Sequence, residues 1–289
     1  MALETIFEGV TRAVFHSAPE AVRRMYGGGI NDAACLEVGG QRYFVKINQD
    51  APRGFFAAEA DGLARLRRAG ELRVPGVIAH ADAADGRPAY LVLEWLEESA
   101  PSPTFAERFG AALPALHSHT ADTFGLERDN FIGSLPQRNT PNARWPDFFR
   151  DLRLRPQIDR ARQRGLSTAR LRLLDRLLER IESLIPSAVP SLLHGDLWRG
   201  NYLILADDTP ALIDPSVYYG DREMELAFTE LFSGFPSVFY RAYHAAYPLD
   251  PGYRERRALY QLYPLLVHYN LFGEPYGGHV ESICQRDVG

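Results

Sequence analysis

The stretch LLHGDLWRGNYLIL, Leu192 to Leu205, with ALIDP (Ala211 to Pro215) one short turn further on, decides the fold. An acid, Asp196, and an amide, Asn201, flank a short loop ahead of a strand-like run. The turn ADDTP then leads into a second apolar run that ends on the acid Asp214. A hairpin of this kind carries one oxygen ligand before its first strand and another at the end of its second, so both can stand beside a single divalent cation. Phosphoryl transfer needs hard oxygen ligands for magnesium and one further carboxylate, here Asp196, near the acceptor hydroxyl, because its catalysis is mostly positioning and charge neutralisation. HGD and IDP are each common alone, as incidental acids in surface loops; their order and spacing carry the weight.

Base, Asn and metal-binding Asp follow one another as in protein kinases, with HGD where those have HRD and IDP where they have DFG. Upstream, Val22 to Trp95 reads as short strands with one helical insert. DAACLEV and QRYFVKI form a β-hairpin around Gly39 and Gly40, a pair that accepts positive φ. Phe55 to Ala69 reads as a helix with an apolar face through Phe56, Leu63 and Leu66, ended by Gly70. VIAHAD and AYLVLEWL add two strands around the turn DGRP.

Lys46, in YFVKI, takes the place of the lysine that contacts the α- and β-phosphates of ATP, and Glu59 on the following helix is its natural ion-pair partner. Such a pair alone also reads as a solvated surface pair. Gly27, Gly28 and Gly29 in YGGGIND are placed to bring backbone N–H groups to the phosphates, or simply to turn a hairpin. LVLEWL reads as a hinge where the carbonyl of Glu94 and the N–H of Leu96 meet the adenine edge, or as a core strand ending in a linker.

Beyond Trp95 the character changes. Glu97 to Pro103 is an acidic, proline-containing connector, and Phe105 to His119 reads as a helix. In RLRLLDRLLERIESLI, Leu171, Leu174, Leu178, Ile181 and Ile185 recur at three- and four-residue steps, one face of an amphipathic helix closed by Pro186. The expected fold is α+β and protein-kinase-like with two lobes: a small antiparallel-sheet N-lobe with one main helix (1–95) and a larger, mostly helical C-lobe (96–289).

With 289 residues, 46% of them apolar, the chain can bury one large core or two modest ones. Thirty-two basic against thirty-seven acidic residues give a net charge of -5, so neither nucleic acid nor a membrane is expected as partner. Cys35 and Cys284 show no CxxC spacing and suggest neither a disulfide framework nor a zinc site. MALETIFEGVTRAVF lacks a basic n-region and a continuous apolar core, and no later run is long and apolar enough to span a bilayer, so a cytoplasmic location is expected. His117 and His119 stand two apart on a helix and face different ways, a structural pair, not metal ligands.

HGDLWRGN and IDPSVYYGDREMELAFTELF, preceded by GGGIN, YFVKIN, FFAAEADGL and WPDFFRDLRLRPQI, resemble the fructosamine kinase (ketosamine-3-kinase) family from about Met25 to Phe272. GDREMELA following IDPSVYY is the most discriminating piece. The resemblance implies a kinase using ATP and Mg2+ that moves the γ-phosphate to the C3 hydroxyl of a ketosamine, free or protein-bound, whose phosphorylated adduct then falls apart. Asp196 would accept the hydroxyl proton late in transfer while Lys46, Asn201, Asp214 and magnesium hold the nucleotide in line.

The resemblance also directs attention to residues around the loop. Trp198 would form a wall for the sugar or brace the loop. Asp221 and Glu223 would attract the cationic amine, unless Asp221 serves as the N-cap of the helix that follows. Glu225 stands where related kinases often have Asp and buttresses the catalytic-loop backbone, which His194 helps to organise. Several family members carry a cysteine where Gly29 stands, so no redox switch is expected there. The rival readings are an aminoglycoside- or choline-type phosphotransferase of the same fold and a nucleotide-binding regulator without catalysis; the YYGDRE run argues against the first, and the presence of Lys46, Glu59, Asp196, Asn201 and Asp214 against the second.

Overall fold

The computed structural model describes residues 3–26, 29–84, 86–232 and 234–288, so the phosphate-loop expectation for Gly27 and Gly28 lies outside the described residues. In chain order the elements are α1 (Leu3–Phe15), β1 (Ala21–Met25), β2 (Asp32–Val38), β3 (Gln41–Asn48), α2 (Phe55–Ala69), β4 (Val77–Ala81), β5 (Ala89–Glu94), α3 (Phe105–His117), β6 (Asn130–Ile132) and β7 (Leu135–Gln137). There follow α4 (Trp145–Phe148), a π-helical turn (Phe149–Leu154), α5 (Arg155–Gln163), α6 (Thr168–Leu184), β8 (Ser191–Leu193), β9 (Tyr202–Ile204), β10 (Pro210–Leu212) and β11 (Tyr218–Gly220). The chain closes with α7 (Arg222–Thr229), α8 (Ser237–Ala246), α9 (Tyr253–Phe272) and α10 (Gly277–Val288). This α+β chain forms two compact units, 1–102 with 203–215, and 103–202 with 216–289.

Unit 1 is built on a five-stranded antiparallel sheet of order β1-β2-β3-β5-β4. Its central hairpin turns at Gly39 (φ 59°) and Gly40 (φ 71°), both in the left-handed region the glycine pair leads one to expect. Strand alternation sorts the side chains. Ala34, Leu36, Val45, Ile47 and Val92 form one buried face, which α1 covers with Phe7 and Val10. Lys46 lies between Val45 and Ile47 in β3 and so points to the other face. Covering this sheet face is what α1 does.

The hairpin β9–β10 belongs with unit 1. The Arg73 carbonyl accepts from the Leu212 N–H (2.8 Å), and the Ile204 carbonyl accepts from the Ser99 N–H (2.7 Å). These bonds fix the end of β10, and with it Asp214, relative to the sheet. Asp214 has φ 55°, a left-handed conformation that Asp tolerates better than most residues.

Unit 2 is mainly helical. Its core gathers Trp145, Phe148, Phe149, Leu154 and Ile158, Leu174, Leu177 and Ile181 of α6, and Tyr260, Tyr263 and Leu266 of α9. α6 keeps the expected apolar stripe and is capped at its start by the Ser167 hydroxyl, which accepts from the Arg170 N–H. Two short antiparallel pairs, β8 with β11 and β6 with β7, lie among these helices. The second pair does not announce itself in the sequence, because three-residue strands show no usable alternation.

Candidate active site

Unit 1 holds an ion cluster. Lys46 is 5% exposed and donates to Glu59 Oε1 at 2.8 Å and to Asp214 Oδ1. Glu59 reaches the lysine because it lies on the buried stripe of α2, in step with Phe56, Leu63 and Leu66. Burial by itself would push the Lys46 pKa down, but the carboxylates of Asp214 and Glu59 override it and hold the ammonium charged well beyond its ordinary range. Burial pushes the Glu59 carboxyl up, Lys46 pulls it down, and Asp214 pushes it up again. One cation between two carboxylates leaves a negative cluster suited to a further cation or to release of the lysine toward a phosphate.

Glu94 ends β5, its N–H bonded to the Gly76 carbonyl at 2.8 Å and its carboxylate paired with Arg73 and the Gly76 N–H. Leu96 follows in irregular chain and is half-buried. Gly29 stands in a bend between β1 and β2.

Unit 2 holds the HGD loop, where geometry is set by backbone contacts. Gly195 has φ 84°, and a Cβ there would fall 2.0 Å from the Ser216 carbonyl oxygen, so only glycine fits. The Ser216 N–H in turn donates to the His194 carbonyl at 2.8 Å. His194 is fully buried, and its Nδ1 accepts from the Asp196 N–H at 3.3 Å, which makes it the organiser of the loop. Asn201 donates through Nδ2 to the Asp196 carboxylate and to the Asp196 carbonyl, each at 2.8 Å. That orientation leaves its amide oxygen as the atom able to ligate a cation.

Glu225 completes the loop from below. Its carboxylate accepts from the Gly195 N–H (2.6 Å) and the His194 N–H (3.2 Å), while His117 Nε2 lies 2.9 Å away. Burial works to raise its pKa, but the His117 and His194 rings and the Gly195 N–H hold it below the ordinary carboxylate value. His117 Nδ1 meets the Tyr243 hydroxyl at 2.7 Å, so this histidine is structural, as its isolation in the sequence suggests. Its link to Glu225, 108 residues away, has no local signal.

Trp198 is half-buried, packs edge-on against Phe232 (6.3 Å between centroids) and covers Gly200 so closely that a Cβ there would meet the indole at 2.5 Å. It therefore braces its own loop while part of it stays accessible. Asp221 and Glu223, expected to attract a cationic amine or, for Asp221, to cap a helix, are both buried and engaged within the fold. Asp221 caps α7 by accepting from the Glu223 N–H (2.9 Å) and also accepts from the Tyr260 hydroxyl (2.5 Å). Glu223 forms a two-point pair with Arg256 (2.5 and 2.6 Å). Both carboxylates are thus engaged by partners within unit 2, and the cap expected of Asp221 is present; a sequence window shows the acids but not the partners that α9 supplies.

The family model for fructosamine kinase matches residues 4–288. A Synechocystis protein named probable ketoamine kinase is 43% identical over 274 residues, covering 91% of this chain and 89% of its own. The crystal structure of a Thermobifida fusca YX-ER1 protein described as a fructosamine-3-kinase superposes with a TM-score of 0.86 at 36% identity, covering 97% of this chain and 98% of its own. An aminoglycoside phosphotransferase, APH(4)-Ia, shares the fold at a TM-score of 0.68 and 19% identity, covering 99% of each chain. With a kinase-like α+β fold and a match running almost end to end, the chain belongs to the fructosamine kinase family and is an ATP-dependent kinase.

Proposed function

We propose that the chain phosphorylates the C3 hydroxyl of ketosamines and so initiates their breakdown, a deglycation activity. The observation that carries the chemistry is the Asp196 loop: its carboxylate is clamped by Asn201 while Glu225 fixes the two N–H groups before it. A carboxylate held in one orientation is prepared to receive the acceptor proton at little reorganisation cost. The substrate class rests on family membership and on the names of the relatives.

In this reading residues 1–95 bind ATP, with Lys46 on the α- and β-phosphates, Glu59 orienting Lys46, the glycines 27–29 along the phosphates, and the Glu94 carbonyl and Leu96 N–H at the adenine edge. Residues 96–289 bind the acceptor, with Trp198 as one wall for the sugar. Asp214 and Asn201 fit a magnesium ion: both offer hard oxygens, and magnesium takes few protein ligands because phosphates and waters fill the rest of its shell. The described residues accordingly contain no cluster of three or more His, Cys, Asp or Glu side chains placed for a metal. Bound magnesium would neutralise charge on the phosphates. Among the described residues no helix is long and apolar enough to cross a membrane, in keeping with the cytoplasmic location we propose.

The test is magnesium-dependent ADP release from ATP with a ribulosyl-amine, a fructosyl-amine, an aminoglycoside and choline, with the phosphorylated position read by phosphorus NMR. Ketosamine-dependent release with phosphate on C3 is expected. Turnover with choline or the aminoglycoside alone would overturn the substrate class.

A further inference from the structure

The segment WPDFFRDLRLRPQI takes no part in the site described above, yet it delivers a charge to the middle of unit 2. Its buried residues run Trp145, Phe149, Leu154, Ile158 and, alongside, Phe148, Arg153, Gln157. The steps of four, five and four mark one extra residue, which is the π-helical turn Phe149–Leu154. Single π-turns of this kind recur at functional sites. Without the extra residue Leu152, not Arg153, would follow Phe148 on the buried face.

Arg153 is fully buried, and among the described residues no carboxylate pairs with it. Nη1 donates to the carbonyls of Arg138 (2.5 Å) and Leu152 (3.1 Å), and Nη2 to Asn139 Oδ1 (2.7 Å). The rings of Tyr218 and Phe148 lie 3.9 and 4.5 Å from the guanidinium carbon, and among the described residues Nε has no hydrogen-bond partner. An apolar side chain would fill this volume without the desolvation penalty of a buried cation.

What the cation holds is a chain of side-chain amides. Asn139 Nδ2 donates to Asn130 Oδ1 (2.9 Å), and Asn130 Nδ2 donates to the Val217 carbonyl (2.8 Å). Gln137 Nε2 donates to Asn130 Oδ1 (2.8 Å) and to the Ser216 carbonyl (3.1 Å), and its Oε1 accepts from the Tyr263 hydroxyl (2.7 Å). Ser216, followed directly by Val217, is the backbone against which Gly195 rests. Each amide in the chain has two orientations, and the fixed donors of Arg153 select one for Asn139 and thereby for Asn130.

We propose that Arg153 is a positioning residue for the Asp196 loop: it anchors the Asn139–Asn130–Gln137 amide chain that holds the Ser216–Val217 backbone against Gly195. The inference rests on the kinase reading, in which Asp196 is the acceptor-side base.

Arg153→Met, Arg153→Lys and Gln137→Met are compared with wild type and Asp196→Asn by steady-state kinetics and by amide hydrogen exchange over residues 192–198. A folded Arg153→Met should lose about 30-fold or more in kcat, with KM for ATP within about twofold and faster exchange in the loop, because small misplacement of a reacting group has effects of this order. Arg153→Lys keeps one charged donor and should recover part of kcat. A folded Arg153→Met with wild-type kcat and exchange would overturn the proposal. Should Arg153→Met fail to fold, Gln137→Met decides. It cuts the link to the Ser216 carbonyl and leaves the cation in place, so faster loop exchange supports the proposal and unchanged exchange defeats it. Turnover retained in Asp196→Asn would break the kinase reading instead, and loop exchange would still decide the role of Arg153.

Discussion

The two units hold their functional groups by opposite means. In unit 1 the buried Lys46 ammonium is held by attraction to two carboxylates, Glu59 and the more exposed Asp214. In unit 2 the Asp196 carboxylate is held by the Asn201 amide, and its loop by the Glu225 carboxylate on the His194 and Gly195 N–H groups and by a glycine that no other residue can replace. A charge cluster can rearrange when a phosphate or cation arrives, since its members exchange partners. A hydrogen-bonded loop with a left-handed glycine has one geometry and keeps it. Binding nucleotide calls for the first property, and accepting a proton from a hydroxyl in line with the phosphate calls for the second.

Breaking each half should therefore give a different signature. The largest effect is expected for Asp196→Asn, with turnover down by about a thousandfold, the middle of the range for loss of a general base. The variant should melt like wild type, because Asn preserves the shape of the loop. Lys46→Met comes next. It should cost about a hundredfold in kcat/KM for ATP, the scale seen when one charge-stabilising donor is removed. It also leaves Glu59 and Asp214 facing each other without their cation, so thermal melting should show lower stability as well.

Glu225→Gln sharpens the comparison from the side of unit 2. One oxygen of the amide can still accept an N–H, but its NH2 then faces a donor, and the buried His117 loses its carboxylate. A loss of about 3 kcal/mol in urea unfolding is expected from breaking such a buried pair, with turnover falling and the KM for ATP unchanged. A larger effect on nucleotide affinity than on turnover would break the division of labour between the two units.

The smallest effect concerns Asp221, whose carboxyl is pushed up to about 6 by burial, with Glu223 adding to the shift and Tyr260 opposing it. In the unfolded chain it titrates near 4. The folded state thus favours the protonated form, so its stabilising contribution is complete below about pH 4 and is lost as pH rises toward 6. Asp221→Asn still caps α7 but does not titrate. Its stability relative to wild type should rise between about pH 4 and 6, by at most about 3 kcal/mol, and level off above. A difference independent of pH would show that Asp221 titrates normally.

Much of this arrangement is legible in the sequence. Lys46 alternates with Val45 and Ile47 and so stands on the sheet face opposite theirs, and Glu59 falls on the apolar stripe of α2; periodicity alone does not tell whether the two meet in a buried pair or a solvated one. Asp196, Asn201 and Asp214 are marked by order and spacing. α1 was legible in principle, since Phe7, Val10 and Val14 recur at helical steps, but nothing in its own residues names the sheet face it covers. The partners of Asp221 and Glu223 are not legible, because Tyr260 and Arg256 lie 39 and 33 residues further on. Arg153 was hidden for a different reason: a charged residue reads as solvent-facing unless one notices that the buried spacing around it has gained a residue.

The most direct test of the account is ATP binding to Asp196→Asn and Lys46→Met, measured by calorimetric titration with magnesium present. The account predicts that Asp196→Asn binds ATP within about twofold of wild type while Lys46→Met binds at least about tenfold more weakly. Weakened binding in Asp196→Asn with wild-type affinity in Lys46→Met would contradict it.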